Sequence, residues 1–367
     1  MKSALSRYRW PVVLMLFGVC GCFRPDPIGS SQKGNPISMN LEFAERLQID
    51  SLDSLWIFHV NTPDGLVESF EVPVVLSHKP RLVILSSVFA GFLYELNAQD
   101  LIVGIDNQAY YSNPDLLHRV QLGEVKSLSA GGALQVEQLV ALNPDWVVHS
   151  GYGELKPELI SQLKKRGVTV LTCNNYLESD PLGRAEWIKF FGAITGYWNE
   201  ALAHFDLIKT EYLNRKQEPA KNAPNVLVGA MFGGVWDVPG GQSYVAKLIA
   251  DAGGNYLWKE LNQVGKQSLS LEQVAEKALN AHVWINPGPF QSASELAQAD
   301  SRYTRFNAFL NQRIFNHYHN LSALGPNAYW ERAAARPDWI LHDLKLIFYP
   351  NELPQNSLLL YSALKAK

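Results

Sequence analysis

Three cysteines in 367 residues are too few for a disulfide framework, and two of them, Cys20 and Cys22, sit at the end of an N-terminal apolar stretch. A basic surplus is also missing. The chain has 32 Lys+Arg against 35 Asp+Glu, a net charge of −3, so nothing drives the counterion release on which charge-based nucleic-acid binding depends. With 47% apolar and 18% charged residues, it is not a disordered chain, which would combine low hydrophobicity with high net charge. The familiar chemical motifs are absent as well. No G-x-x-x-x-G-K-[ST] cradles a phosphate, and no C-x-x-C, H-E-x-x-H or EF-hand loop holds a metal. Gly241-Gln242-Ser243-Tyr244-Val245 fails as a nucleophile elbow at its last position. His317-Tyr318-His319 is the one close histidine pair. On a strand the two imidazoles share a face, so a metal site is conceivable there, but a solvated segment at a lobe edge is the simpler reading. An enzyme gains little support.

The N-terminus reads MKSALSRYRWPVVLMLFGVCGCF. Lys2, Arg7 and Arg9 precede the apolar run Pro11 to Val19, which is too short to span a bilayer, where about 20 residues are needed. This is the shape of a secretory signal. Its end, Val19-Cys20-Gly21-Cys22, resembles a bacterial lipobox, in which a small residue precedes the lipidated cysteine; Gly21 makes Cys22 the better-placed residue. A signal cut after small residues, or an uncleaved anchor, is the alternative. The expectation is a signal peptide over 1–21 and lipid on Cys22. A Pro-, Gly- and Ser-rich flexible tether then follows over 22–40. Cys173, after Val168 to Leu171, reads as a small core residue.

From residue 41 the pattern becomes that of folded protein. Leu55 to Val60 and Val67 to Leu76 alternate apolar and polar residues around a Thr62-Pro63-Asp64-Gly65 turn, which predicts a small β segment over 41–79. Leu82-Val83-Ile84-Leu85 is instead a continuous apolar run, as in a strand buried on both faces. A helix through Phe92 to Leu96 and a strand over Leu101 to Ile105 follow, which is a parallel α/β unit. A long-range repeat extends this reading. Val136-Glu137-Gln138-Leu139 leads through Leu142-Asn143-Pro144-Asp145 into Trp146-Val147-Val148 and Gly151. Leu271-Glu272-Gln273-Val274 leads through Leu279-Asn280-Ala281-His282 into Val283-Trp284-Ile285 and Gly288. The copies lie about 136 residues apart, far beyond a solenoid period, so they read as two similar α/β lobes.

Between them, Gly183 to Ile194 predicts one helix ended by Thr195-Gly196. Trp198, Leu202, Phe205, Ile208 and Tyr212 predict a second, running to about Gln217, roughly 30 Å long. The expected architecture is α/β: an N-terminal lobe over 80–183 and a helical linker over 184–218 containing one long bridging helix. A C-terminal lobe follows over 219–367, each lobe having a parallel sheet. The bridging helix makes the pair a stiff clamp.

Aromatic residues fall at the predicted strand exits: Tyr110, Tyr111, Tyr152, Tyr176, Phe232 and Trp236. In α/β sheets ligands bind beyond the carboxyl ends of the strands, and aromatic rings there suit a large, partly apolar ligand.

Taken in order, the lipobox, tether, first lobe with Leu142-Asn143-Pro144-Asp145-Trp146-Val147, bridging helix and second lobe resemble the substrate-binding lipoproteins of iron-chelate and cobalamin ABC importers. The resemblance covers about residues 80 to 350. It is close along Tyr176-Leu177-Glu178, Pro181 to Gly192, Val235 to Gly241, Tyr329-Trp330-Glu331-Arg332 and Arg336-Pro337-Asp338, and it adds Trp330 to the candidate ligand contacts. It implies a monomer with a cleft between rigid lobes, a bound metal chelate, and docking to a membrane permease and its ATPase. One glutamate per lobe would make that docking. Glu137 matches the first; at the second position this chain has Gln242, which replaces a charge-assisted contact by a neutral hydrogen bond. The implied site is the periplasm, with the protein tethered by lipid to a membrane whose leaflet stays open and with no other covalent cofactor. The cargo implied is a corrinoid or a ferric siderophore. Few Arg or Lys residues in the strand-exit loops tilt the reading toward a neutral ligand such as cobalamin. Haem, for which Tyr110, Tyr111 or His149 would be axial ligands, and a free-metal binder or an enzyme on the same fold, are the alternatives.

Overall fold

The computed structural model describes residues 35–130, 133–151, 155–317, 328–350 and 358–365. The signal stretch, Cys22, Tyr152, Tyr318 and His319 lie outside the described residues. No helix among the described residues is long and apolar enough to cross a membrane.

The first element is an antiparallel meander of four strands in the order β1-β2-β3-β4: β1 (Ile37–Met39), β2 (Leu47–Leu52), β3 (Leu55–Asn61) and β4 (Val67–Pro73). The sequence pattern foretold β3 and β4, whose turn closes at Gly65 with φ +82°. β1 falls inside the expected tether. On β3 the side chains alternate, with Trp56, Phe58 and Val60 buried. They face aromatic partners: Trp56 lies 4.4 Å from Trp198, and Phe58 lies 5.2 Å from both Phe70 and Phe190.

The N-terminal lobe then follows as β5 (Leu82–Ile84), α1 (Ser87–Glu95), β6 (Ile102–Ile105), α2 (Pro114–Gln121) and β7 (Lys126–Ser127). A short hairpin, β8 (Ser129–Ala130) and β9 (Ala133–Leu134), leads into α3 (Val136–Ala141), β10 (Trp146–His149), α4 (Pro157–Lys165) and β11 (Thr169–Thr172). Its sheet is parallel, in the order β11-β10-β5-β6-β7. Both faces are covered. Leu82 and Ile84 enter the main core, while Val83 and Leu85 enter a second cluster with Leu139 of α3 and Leu163 of α4. That is why the sequence there runs apolar without alternation.

The linker contains α5 (Pro181–Glu186), α6 (Ile188–Thr195) and α7 (Trp198–Arg215). The single first helix expected from the pattern is broken at Trp187, and Gly196 (φ +81°) ends α6 as foreseen. α7 spans 18 residues, roughly 27 Å. It packs along α6 at one end of the linker and along the helix Pro337–Phe348 near the C-terminus.

The second lobe begins with β12 (Asn225–Val228) and a three-stranded antiparallel flap made of β13 (Met231–Phe232), β14 (Val235–Pro239) and β16 (Lys266–Leu269). Within that stretch lie α8 (Tyr244–Asp251) and β15 (Asn255–Tyr256). α9 (Leu271–Ala278), β17 (Val283–Ile285), α10 (Ala293–Ala299), α11 (Asn307–Leu310) and β18 (Ile314–Asn316) follow. α12 (Ala328–Arg332), α13 (Pro337–Phe348) and β19 (Ser362–Ala363) complete it. The sheet order is β15-β12-β17-β18-β19, parallel except that β19 runs antiparallel on the edge. The two repeat copies become α3–β10 and α9–β17. Each strand lies directly beside its lobe's first strand, β5 or β12.

Two buried carboxylates fasten the N-terminal meander to the linker. Glu186 accepts the backbone N–H groups of Glu42, Phe43 and Ala44 at 2.8–2.9 Å and pairs with buried Lys189 at 2.6 Å. Glu178 accepts those of Glu45 and Arg46 at 3.0 and 2.8 Å, and the Trp187 indole N–H at 3.1 Å. Residues 42–46 press so closely on α5 that a Cβ at Gly183 would stand 2.8 Å from the Phe43 carbonyl. A similar approach joins α12 to the first lobe, where a Cβ at Gly91 of α1 would stand 1.8 Å from the Glu331 carbonyl.

Candidate functional site

The carboxyl ends of the strands in both sheets open onto one cavity of about 570 Å³. From the first lobe come Ser86 after β5, Ser150 after β10, and Asn175 and Tyr176 after β11. From the second come Asn286 after β17 and His317 after β18. The rest of the wall is mostly helical: Val88 and Phe89 of α1, Arg184 of α5, the Ser243-Tyr244-Val245 start of α8, and Tyr329 and Trp330 of α12, with Ala333 and Ala334 just beyond it and Val264 before β16. A space of this size, mostly apolar with a few convergent polar groups, has the character of a small-molecule site.

Its wall is built from stacked rings. His317 stacks on Tyr329 at 4.2 Å and meets Trp330 edge-on at 5.2 Å, while Tyr329 and Trp330 lie perpendicular at 5.2 Å. Trp330 remains 53% exposed, so one large ring presents open surface to the cavity. Arg184 lies 3.8 Å over the Tyr244 ring. Its Nε donates to the Glu178 carbonyl at 2.8 Å and its Nη2 to the Tyr176 carbonyl at 2.9 Å. Burial lowers the Arg184 pKa from its ordinary value, yet a guanidinium stays charged at neutral pH. Burial pushes the His317 imidazole down to about 4 and the Tyr244 and Tyr329 phenols well up, so these three are neutral. Among the described lining residues, Arg184 is the one formal charge.

Of the ligand contacts expected from the sequence, Tyr176 and Trp330 line this cavity, as does His317 of the close histidine pair. Tyr111 does not: it is fully buried in the lobe core, its hydroxyl donating to Asp106 at 2.8 Å. Trp236 is also core. β14 turns alternate residues inward, and the Trp236 indole N–H donates to the Val228 carbonyl at 2.8 Å beside Trp284. Tyr110 and Phe232 are 59% and 86% exposed and are not among the residues that line the cavity. Glu137, in the first turn of α3, and Gln242, just before α8, are exposed on different lobes. Tyr152 lies outside the described residues. Cys173 is fully buried, and burial raises its thiol well above the usual range, as suits a core residue.

The strand-exit criterion missed Arg184, Tyr244 and Tyr329, because they enter on helices. A cue for Tyr244 was present: Ser243 is a helix N-cap, accepting the Ala246 N–H. The three haem-ligand candidates are likewise displaced. Tyr110 and Tyr111 are accounted for above, and His149 is buried against Thr172 at 3.1 Å and does not reach the cavity; Tyr176 and His317 do.

Burial holds His149 at about 4, below its ordinary 6.5. A base depressed in the folded state contributes stability that is fully present above the unfolded pKa and is lost as pH falls through the folded one. Moving from pH 7 to pH 5 should therefore cost wild type about 2 kcal/mol through this residue. Denaturant midpoints at both pH values should show His149→Gln losing less than wild type by that amount; equal losses would refute the assignment.

The comparisons agree with this architecture. The sequence profile described as periplasmic binding protein matches residues 82–317. An uncharacterized lipoprotein of Methanocaldococcus jannaschii is 27% identical over 280 residues, covering 74% of this chain and 65% of the relative, so the chain spans just under two thirds of that protein's length. Among solved structures, a possible iron-binding periplasmic solute-binding protein of Staphylococcus epidermidis superposes with a TM-score of 0.57 at 19% identity. It covers 74% of this chain and all of that one. The periplasmic haem-binding protein HutB of Vibrio cholerae gives 0.56 at 19% identity, covering 72% of this chain and all of its own. With the profile matched across both lobes and the cavity placed between their strand ends, this chain belongs to the periplasmic binding protein family.

Proposed function

We propose that the protein is the substrate-binding component of an ABC importer, holding a metal chelate in the interlobe cavity and handing it to a membrane permease driven by its ATPase. The observation that carries this is one cavity walled by the strand ends of both lobes and lined by Tyr176, Tyr244, Tyr329 and Trp330. Aromatic faces converging from two lobes fit a large, partly planar ligand and give affinity through burial rather than chemistry. A corrinoid or a ferric siderophore fits this description. Haem is the second reading, favoured by the neutral His317 imidazole in the wall. Lipid on Cys22 would hold the protein to a membrane on the periplasmic side, and Glu137 and Gln242, exposed one on each lobe, would meet the permease.

Tryptophan fluorescence tests this reading, because Trp330 stands in the cavity wall. Titration with cyanocobalamin, ferric siderophores and haemin, corrected for inner-filter absorption, should give saturable quenching by one class at micromolar concentrations or below. Unsaturable or absent quenching with all three would refute it.

A further inference from the structure

We infer that Arg184 selects ligands carrying a carboxylate arm, and that the N-terminal meander holds it in position to do so. The inference rests on the cavity being the ligand site. Arg184 brings a positive charge to a largely apolar wall, and none of its hydrogen bonds among the described residues goes to a carboxylate. Two acids shortly before it in sequence are committed elsewhere. Glu178 gives Arg184 its backbone carbonyl and turns its carboxylate to the N–H groups of Glu45, Arg46 and Trp187. Asp180 caps α5 through Leu182 and Gly183 and lies 3.4 Å from Lys247. Arg184 is half-buried and hydrogen-bonded only to carbonyls, so an anionic ligand arm would supply the direct carboxylate partner it lacks among the described residues.

Other features of the wall act in the same direction. The first turns of α1 and α8 both line the cavity, and helix N-termini carry partial positive charge. At the start of α1, Ser86 makes no side-chain cap, in contrast to Ser243 at the start of α8. The Arg184 Nε and one Nη2 proton are spent on carbonyls, which fixes the plane of the guanidinium and leaves Nη1 to donate. Such an immobilised planar donor suits a carboxylate better than a mobile ammonium would.

The immobilisation originates outside the region matched by the family profile, residues 82–317. Glu178 and Glu186, on either side of Arg184 in sequence, are both held by backbone N–H groups of residues 42–46. The meander therefore fixes both the carbonyl that orients Arg184 and the helix that carries it. This reverses the tilt toward a neutral corrinoid, which came from counting charges in the strand-exit loops alone.

The test compares matched ligands on the full chain in detergent: haemin against haemin dimethyl ester, and a citrate-type ferric siderophore against neutral ferrichrome, with cyanocobalamin as the corrinoid free of carboxylates. Wild type should bind the carboxylate member of at least one pair about tenfold tighter or more. Arg184→Gln should erase that ratio, whatever it does to both affinities together, and Arg184→Lys should restore part of it. Thermal melts report whether the variants fold; if they do not, the wild-type ratios decide. Equal or tighter binding of the neutral member in both pairs, or tighter binding of cyanocobalamin than of every carboxylate probe, overturns the inference, as does a carboxylate preference that survives in folded Arg184→Gln, while in all these cases the proposed transport role stands. No binding of any probe overturns that role and this inference with it.

Discussion

Replacing Glu186 by alanine should cost about 3–5 kcal/mol, the range measured when one partner of a buried ion pair is removed. The loss goes beyond the pair itself. It strands Lys189, which is nearly buried, and leaves the N–H groups of Glu42, Phe43 and Ala44 without their acceptor. Folded domains have only about 5–15 kcal/mol in hand, so the effect is large. The partner substitution separates the two contributions: Lys189→Met removes the cation but leaves Glu186 accepting three backbone donors, and should cost distinctly less. Urea denaturation of both variants measures this. Equal destabilisation would mean that the ion pair, rather than the backbone anchorage, holds the meander.

The second large effect concerns binding. Trp330→Ala should weaken the bound chelate by about 2 kcal/mol, roughly thirtyfold, as expected of a central aromatic contact. Phe232→Ala and Tyr110→Ala should leave affinity unchanged, since both rings are exposed to solvent and neither lines the cavity. Calorimetric titration of the three variants with whichever chelate wild type binds tests the contrast. A thirtyfold loss in Phe232→Ala with none in Trp330→Ala would place the ligand somewhere other than this cavity.

The contrast also shows how far the sequence could be read. Two α/β lobes were legible because buried parallel strands leave continuous apolar runs such as Leu82 to Leu85, and because the repeat survived in both lobes. The bridging helix was legible from its apolar spacing. β1 and β2 were not: β1 is three residues long, and pairing with a neighbour, rather than local pattern, makes it a strand. In the site, locating strand exits found Tyr176 but could not distinguish a ring turned into the cavity from one turned into the core, which is how Tyr111 and Trp236 were included. That distinction depends on packing between elements far apart in sequence. Arg184 was hidden for a related reason. It lies on a helix rather than at a strand exit, and its carbonyl partners, Tyr176 and Glu178, gain meaning only once the chain has folded around it.

The central claim, that one chelate occupies the cavity between the lobes, is tested most directly by isothermal titration calorimetry of the full chain at several temperatures. The account predicts a stoichiometry of one and a negative heat-capacity change, the signature of apolar surface removed from water. Several weak equivalents per chain, or binding with no heat-capacity change, would contradict it, since either would place the ligand on the exposed surface rather than among Tyr176, Tyr244, Tyr329 and Trp330.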